Sequence, residues 1–253
     1  MSDAGGGAPP KRGKTPRTAT GGRALEGRIA LVTGASRGIG AAVARRFAGE
    51  GAHLILAART QGALEELDDE VRAMGGSVTL VPGDLTDFDT IDRMGAAVFE
   101  RFKRLDILVG NAGALGTLSP LGHIDVKTWD QVMAINLTVN WRLIRSFDSL
   151  LRLSDAGRAI FVTSGVGARP YWGAYAVSKA ALETLVRVYA AEVAKTNVRV
   201  NLLDPGAIRT AMRARAFPGE DPMTLEPPES ITDLFVELAR PACTRNGERI
   251  QAY

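Results

Sequence analysis

The chain has 253 residues, of which 45% are hydrophobic, and this is enough for one α/β domain with a sizeable core. No apolar run reaches the roughly 18 residues that a membrane-spanning helix needs. The single cysteine, Cys243, excludes an intrachain disulfide and lacks nearby Cys or His partners for a metal site. The chain has only two histidines, His53 and His123, so a catalytic triad based on histidine is not expected. We therefore expect a cytoplasmic protein that holds no metal and does not enter a membrane.

The formal net charge of +3 arises in the first part of the chain. Residues 1–24 carry a net charge of +4, which leaves −1 for the remaining residues. This segment is rich in Gly, Pro and Thr and has almost no large apolar residues, so it cannot offset its ordering entropy by burial and is predicted to be a disordered tail. A basic arm for nucleic acid is the alternative, but a few charges without aromatic residues are usually only solvated, and we expect no nucleic-acid partner.

Strand patterns and helical patterns alternate from residue 25 to the end of the chain. The strands are predicted at 28–33, 53–57, 77–81, 107–109, 159–163, 198–203 and 249–252. The helices are predicted at 41–49, 64–74, 87–102, 128–151, 174–195 and 230–239. This alternation predicts one α/β domain over residues 25–253, with a doubly wound parallel sheet of about seven strands, helices on both faces, and the ligand at the carboxyl ends of the strands.

A glycine-rich turn joins the first predicted strand to the first predicted helix. It has the sequence Thr-Gly-Ala-Ser-Arg-Gly-Ile-Gly at 33–40. Glycines 34, 38 and 40 permit a tight turn and a close approach of the backbone to a ligand, and the amides at the helix start can bind a pyrophosphate. The spacing is one residue wider than the G-x-G-x-x-G fingerprint, and such turns also serve as plain connections. The position between a strand and a helix nevertheless favours a dinucleotide site.

The type of dinucleotide can be predicted from the charges after the second strand. Proteins that prefer NAD carry an acidic side chain roughly twenty residues beyond the glycine turn, which binds the ribose 2′-hydroxyl and repels a 2′-phosphate. Here Ala58 and Arg59 take this place, and Arg37 in the glycine turn supplies a second guanidinium. Either arginine alone would be interpreted as a solvated surface residue. Both together, without the acid, favour NADP(H) over NAD(H).

Tyr175 and Lys179 are four residues apart at the start of an alanine-rich helical pattern, and Ser164 follows a predicted strand. Positions i and i+4 share a helix face, so the phenol and the ammonium are neighbours. Lowering the pKa of a tyrosine from about 10 by about three units needs roughly 4 kcal/mol, and one ammonium about 4 Å away supplies a similar amount. Burial raises the pKa, so Lys179 must also outweigh burial. The alternative is a half-buried aromatic residue beside a solvated lysine.

These motifs occur in the order found in the short-chain dehydrogenase/reductase (SDR) family, which the chain resembles from about residue 27 to its end. The shared elements are the glycine turn at 33–40, Asp84, Asn111-Ala112-Gly113, Asn136, Ser164, Tyr175 with Lys179, and Pro205-Gly206 with Thr210. The resemblance implies a single-domain Rossmann fold, a nicotinamide cofactor, and hydride transfer to or from a carbonyl or alcohol carbon.

The resemblance also implies the catalytic roles. Tyr175 is the general acid in carbonyl reduction and the base in alcohol oxidation. Lys179 lowers the pKa of this tyrosine and holds the nicotinamide ribose, while Ser164 orients and polarises the carbonyl. Asn136 supports a water that leads protons toward the lysine.

The cofactor site implied by the resemblance draws on the ends of several strands, beginning with the glycine turn. Asp84 holds the adenine amine, Asn111 steadies the adjoining strands, and Thr210 meets the nicotinamide carboxamide; in isolation each is also a plausible cap or turn residue. The full expected set is Gly34, Ser36, Arg37, Gly38, Ile39, Gly40, Arg59, Asp84, Leu85, Asn111, Ala112, Gly113, Tyr175, Lys179, Pro205, Gly206, Ile208 and Thr210.

The chain departs from the family around the substrate. The loop between Ser164 and Tyr175 is shorter than usual, the segment 211–222 is interpreted as a brief loop, and the usual Gly-Gly tail is missing. We expect a homo-oligomer, either a dimer through the helices at 128–151 and 174–195 or a tetramer through the last strand. The expected pocket walls indicate an apolar or aromatic ketone, or a 3-oxoacyl group, and consist of Leu115, Arg169, Tyr171, Trp172, Met212 and Phe217.

Two functions remain open at this stage. The first is an NADP(H)-dependent oxidoreductase acting on a carbonyl or alcohol carbon of a small apolar or acyl substrate. The second is a non-catalytic, dinucleotide-sensing regulator of the same fold. The presence of Ser164, Tyr175 and Lys179 together favours the enzyme, because a sensor has no chemical need for an activated phenol.

Overall fold

The computed structural model describes residues 22–253, and their strands form one parallel sheet of seven members in the order β3-β2-β1-β4-β5-β6-β7. Every neighbouring pair in the sheet is parallel. The strands are β1 Ile29–Thr33, β2 His53–Ala58, β3 Ser77–Pro82, β4 Ile107–Gly110, β5 Arg158–Val162, β6 Arg199–Asp204 and β7 Arg249–Gln251. The predicted doubly wound parallel sheet is confirmed.

The described part of the chain contains eight α-helices, most of which pack against the two faces of this sheet. They are α1 Gly38–Gly49, α2 Gln61–Ala73, α3 Phe88–Phe102, α4 Val126–Met133, α5 Val139–Leu153, α6 Gly173–Glu192, α7 Ala211–Ala216 and α8 Thr232–Ala239. Three short 3-10 turns lie at Leu121–His123, Pro222–Thr224 and Pro228–Ile231. Within residues 22–253, no helix combines the length and the apolar composition required to span a bilayer.

The helix predicted at 128–151 is in fact two helices joined by a π-helical turn. This turn, Ala134–Thr138, separates α4 from α5 and contains the buried Asn136. Hydrophobic periodicity is nearly unchanged by one extra residue in a turn, so the pattern could not reveal it. Turns of this kind often accompany functional sites.

The segment 211–222, interpreted from the sequence as a brief loop, contains α7. The Thr210 hydroxyl caps this helix by accepting a hydrogen bond from the Arg213 amide at 3.2 Å. The helix is composed of alanine, arginine and methionine, which all have high helix propensity. Its six residues are too few for a recognisable hydrophobic period, which explains why the prediction was wrong.

The core forms two layers because successive strand residues point to opposite faces. In β1, Ala30 and Val32 face a cluster built on α1, α2 and α8, whereas Leu31 faces a second cluster built on α3, α5 and α6. Phe47 and Phe147 are fully buried anchors of the first and second cluster. Burying a side chain of this size contributes about 1.5 to 3 kcal/mol.

The order of the strands reverses at β1, whose neighbours are β2 and β4. Ligands of open α/β sheets bind in the crevice outside the carboxyl ends of the strands at such a switch point. Thr33 ends β1, and Gly110 ends β4 beside it. The fold therefore brings the glycine turn and the segment after Gly110 to one crevice.

The predicted tail at 1–24 falls largely on residues 1–21, which lie outside the described residues. At its end, the Ala24 amide donates a 3.0 Å hydrogen bond to Glu50 Oε2, and Leu25 is fully buried. Among the described residues, contacts with the core therefore begin at Ala24.

Candidate active site

The glycine turn has the backbone geometry that a close-approaching ligand needs. Gly34 has a φ of +65°, a conformation that L side chains rarely adopt. A Cβ at Gly40 would lie only 2.3 Å from the Gly34 carbonyl oxygen and 2.6 Å from Asn111 Nδ2. Within residues 22–253, no side chain caps the start of α1 at Arg37, so the first amides of this helix are available to an anion.

Thr33 and Asn111 tie the ends of β1 and β4 together. Asn111 Nδ2 donates to the Thr33 carbonyl oxygen at 2.9 Å, and Thr33 Oγ1 accepts from the amides of Asn111 at 3.0 Å and Ala112 at 3.1 Å. A Cβ at Gly34 would lie 3.0 Å from Ala112 Cα. These contacts fix the floor of the crevice and match the steadying role expected of Asn111.

The charged residues expected near the adenosine ribose follow neighbouring strands. Arg37 and Arg59 are exposed, and in the described part of the chain neither forms an ion pair with a carboxylate. Asp84 follows β3 and accepts hydrogen bonds from the amide and hydroxyl of Thr86, at 2.9 and 2.8 Å. The Thr86 bonds, together with the positive charge of Arg59, lower the pKa of Asp84. These residues fit a cofactor with an adenine amine and a 2′-phosphate.

Tyr175 and Lys179 lie one turn apart on α6 and are both buried, with 8% and 5% of their surfaces exposed. Lys179 Nζ lies 5.8 Å from the centre of the Tyr175 ring and donates to the Val162 carbonyl oxygen at 2.8 Å. Val162 ends β5, and the half-buried Ser164 follows it. The structure therefore brings the three predicted catalytic side chains together.

The pKa of Tyr175 depends on the burial of the phenol and on two neighbouring groups. Burial raises this pKa, the neighbouring Ser164 hydroxyl lowers it by hydrogen bonding, and the Asp204 carboxylate raises it further. Burial also lowers the pKa of Lys179 to about 8. The Lys179 amine is directed at the Val162 carbonyl oxygen, and its expected influence on the pKa of the phenol stays a prediction.

Asn136 connects the cofactor side of the crevice to the catalytic helix. Its Nδ2 donates to the Ala114 carbonyl and to Ser178 Oγ, both at 2.9 Å, and its Oδ1 accepts from the Ala114 amide at 2.8 Å. A Cβ at Gly113 would lie 3.1 Å from Asn136 Oδ1 and 3.9 Å from Lys179 Nζ. Sequence reasoning missed Ser178, whose position inside the Tyr-to-Lys spacing of α6 was the available signal.

Three of the predicted pocket-wall residues form one cluster beside Tyr175. The Trp172 ring lies 5.8 Å from the Tyr175 ring and 5.7 Å from the Phe217 ring, and the Arg169 guanidinium covers both Trp172 and Phe217 at 5.4 and 5.3 Å. Arg213 of α7 lies 3.7 Å from the centre of the Phe217 ring.

The other predicted wall residues stand apart from these contacts. Leu115 is buried and Met212 is half-buried. Tyr171 is exposed and has a φ of +69°, which is unusual for a side chain of its size.

The parallel sheet, the glycine turn at its switch point and the Ser164, Tyr175 and Lys179 side chains beside it define a Rossmann-type dinucleotide oxidoreductase. The model of the short chain dehydrogenase family matches residues 28–221, and the chain belongs to this family. Among curated relatives, it is 37% identical over 219 residues to the uncharacterized oxidoreductase YciK of Escherichia coli, covering 85% of this chain and 86% of the relative.

Solved structures of the family show the same architecture. A short chain dehydrogenase from Pseudomonas syringae superposes with a TM-score of 0.89 at 37% identity, covering 93% of this chain and 98% of that one. A Shigella flexneri short chain dehydrogenase complexed with NADP superposes with a TM-score of 0.84 at 35% identity, with coverages of 91% and 98%. A Mycobacterium tuberculosis relative, 34% identical and covering 86% of this chain and 91% of the relative, is named an NAD-dependent oxidoreductase. The protein is thus an NAD(P)-dependent oxidoreductase of this family.

Proposed function

We propose that the protein is an NADP(H)-dependent oxidoreductase that transfers a hydride between the nicotinamide and a carbonyl or alcohol carbon of a small apolar or acyl substrate. The observation that carries the proposal is the convergence of Ser164, Tyr175 and Lys179 at the carboxyl edge of the sheet, next to the glycine turn. A buried phenol beside a hydroxyl and an amine is a proton-transfer arrangement.

The bound nicotinamide supplies the hydride for reduction or accepts it in oxidation. In reduction, Tyr175 gives its proton to the substrate oxygen as negative charge develops there, and Ser164 donates a hydrogen bond to the same oxygen. Burial raises the pKa of Tyr175, so the phenol keeps a proton that it can donate in reduction. Asn136 fixes the segment on the cofactor side of the site through its two hydrogen bonds with Ala114, and Lys179 is the residue expected to hold the nicotinamide ribose.

The preference for NADP(H) is supported by charge. Arg37 and Arg59 follow adjacent strands and have no carboxylate partner within residues 22–253, so both guanidinium groups are free to bind a 2′-phosphate. Ala58 stands where an acid would select against that phosphate. The NADP complex of the Shigella flexneri structure agrees with this, although the Mycobacterium tuberculosis relative carries an NAD-dependent name.

The substrate class is supported by the rings beside Tyr175. Trp172 and Phe217 present apolar surface next to the phenol, which suits an apolar or aromatic ketone or an acyl chain. Arg213 is bound to Glu220 through two hydrogen bonds of 2.6 Å, so α7 is fastened at the edge of this surface.

A homo-oligomer in the cytoplasm is the proposed assembly and location. Trp141 on α5 and Val177 and Val188 on α6 expose between 42% and 52% of their surfaces, and these helices are the ones that we expect at a dimer interface. Exposed apolar residues on neighbouring helices are typical of such an interface.

The test is a titration with NADPH and with NADH, followed by a screen of apolar ketones and acyl thioesters in which NADPH absorbance is recorded. We expect NADPH to bind at least about tenfold more tightly, or about 1.4 kcal/mol, and at least one carbonyl compound to be reduced by the native protein but not by Tyr175→Phe. Tight NADPH binding without turnover of any compound would instead identify a dinucleotide sensor.

A further inference from the structure

A buried carboxylate lies at the end of β6, behind the catalytic residues. Asp204 is 2% exposed and belongs to an otherwise apolar strand end. Its Oδ2 accepts a 2.7 Å hydrogen bond from Arg249 Nη2, and its Oδ1 accepts a 3.1 Å bond from the Gly206 amide. A carboxylate this deeply buried needs a positive partner, and Arg249 of β7 is the partner present.

Arg249 also reaches the catalytic helix. Its Nη1 lies 3.5 Å from Glu183 Oε1, and Glu183 stands one turn after Lys179 on α6. The same Glu183 oxygen accepts a 2.9 Å hydrogen bond from Thr163 Oγ1. One guanidinium from a strand of three residues therefore binds two acids from two different elements.

These contacts enclose the segment that carries Ser164. Thr163 precedes Ser164 and is bound to Glu183, while Gly165 follows Ser164 and lies directly over the ion pair. A Cβ at Gly165 would lie 2.9 Å from Asp204 Oδ2 and 3.2 Å from Arg249 Nη2. The residues on both sides of Ser164 thus adjoin the group of Glu183, Asp204 and Arg249, Thr163 through its hydroxyl and Gly165 through its backbone.

We propose that Arg249 is a positioning residue of the active site: it holds Asp204 and Glu183, which fix the backbone around Ser164, and it neutralises the carboxylate behind Tyr175. The proposal goes beyond the proposed function, and rests on it only in taking Tyr175 as the proton donor. It gives the last strand of the sheet a role in the reaction.

The electrostatic consequence has a definite sign. Charged side chains approach the surroundings of Tyr175 from several elements, namely Lys179 and Glu183 on α6, Asp204 on β6, Arg249 on β7, Arg169 before α6 and Arg213 on α7. Burial has the largest effect on the pKa of Tyr175, followed by the hydrogen bond with Ser164. The negative charge of Asp204 comes next, and it raises this pKa. Removing Arg249 leaves this charge uncompensated and raises the pKa further, whereas removing the charge of Asp204 lowers it.

The experiment compares Arg249→Gln, Asp204→Asn and the double variant. Phenanthrenequinone, a planar aromatic diketone, is reduced with saturating NADPH, and kcat is measured against pH. We expect the alkaline limb, where Tyr175 loses its proton, to move up by about half to one pH unit in Arg249→Gln and down by a similar amount in Asp204→Asn. In the double variant the alkaline limb should lie close to its native position, because both charges are gone. In Arg249→Lys it should also lie near the native position, because the positive charge is kept.

The matched control is Arg245→Gln, since Arg245 is a nearby arginine with 44% of its side chain exposed and pairs with Glu237 and Glu248. It should leave the pH profile unchanged. Thermal midpoints are recorded for all variants, because a purely mechanical role of Arg249 would lower the midpoint without shifts of opposite sign. Shifts of Arg249→Gln and Asp204→Asn in the same direction, or no shift in either, overturn the proposal.

A second measurement separates this proposal from the proposed function. The protein has four tyrosines, so ¹³C labelling at the tyrosine Cζ gives few NMR signals, and the Tyr175 signal is assigned by its loss in Tyr175→Phe. Its titration with saturating NADP⁺ reports the pKa without turnover. Opposite shifts in NMR without reduction of any carbonyl compound would support the role of Arg249 and refute the assigned reaction. Reduction of a carbonyl compound, with the same Tyr175 titration in all variants, would support the assigned reaction and refute the role of Arg249.

Discussion

Replacing Gly40 by alanine tests whether the glycine turn is a precisely built cofactor site. The added Cβ would lie 2.3 Å from the Gly34 oxygen and 2.6 Å from Asn111 Nδ2, whereas van der Waals contact needs about 3.5 Å. The backbone must therefore move by about 1 Å, because the nearest neighbour, the Gly34 carbonyl oxygen, is itself backbone. Overpacking of this kind costs about 1 to 3 kcal/mol.

Alanine also stabilises a helix by about 0.5 to 1 kcal/mol relative to glycine, which offsets part of this cost. A matched control comes from the same helix: a Cβ at Gly49 meets nothing within 4 Å. At about 2 to 4 °C for each kcal/mol, we expect Gly40→Ala to lower the thermal midpoint by a few degrees and Gly49→Ala to leave it unchanged or raise it slightly.

The decisive measurement is the affinity for NADPH by calorimetry. A shift of about 1 Å in the turn misplaces the amides that meet the pyrophosphate, so we expect Gly40→Ala to weaken binding at least about tenfold and Gly49→Ala to bind as the native protein does. If Gly40→Ala bound NADPH with native affinity, the contact between α1 and the turn would not define the site, and our account of the glycine turn would be wrong.

Four further substitutions test the cofactor preference, the catalytic pair and the proposed assembly. Arg59→Asp should erase or invert the preference for NADPH over NADH, measured by titration with both, because it removes a phosphate partner and adds a repulsive charge. Tyr175→Phe should keep NADPH binding but lower kcat by about 10² to 10⁴, and retained activity would show that the proton comes from elsewhere. Because burial lowers the pKa of Lys179 to about 8, the unfolded chain binds more protons above that pH; the free energy of unfolding from urea titrations should rise between about pH 8 and 10 in the native protein but not in Lys179→Met. Val188→Glu on α6 should shift the mass measured by light scattering toward the monomer, and an unchanged mass would place the interface elsewhere.

The parts of the protein that the sequence alone determined are those governed by local backbone chemistry. The glycine turn was recognisable because the positive φ of Gly34 and the space around Gly40 admit almost no other residue. Tyr175 and Lys179 were predicted to be neighbours because the period of a helix places them there. The alternation of strand and helix patterns sufficed for the fold, since parallel strands need helical crossovers of one hand.

The tertiary structure decided what depends on contacts between distant residues. Whether the charge of Lys179 or the burial of Tyr175 governs the phenol depends on the depth of the site and on the direction of Nζ, and neither follows from a spacing of four residues. The pairing of Arg249 with Asp204 and Glu183 joins residues 45 or more positions apart in the sequence. The local pattern of a three-residue strand does not predict this pairing. Burial and charge compensation are properties of the assembled sheet, and so the tuning of the active site could be known only from its packing.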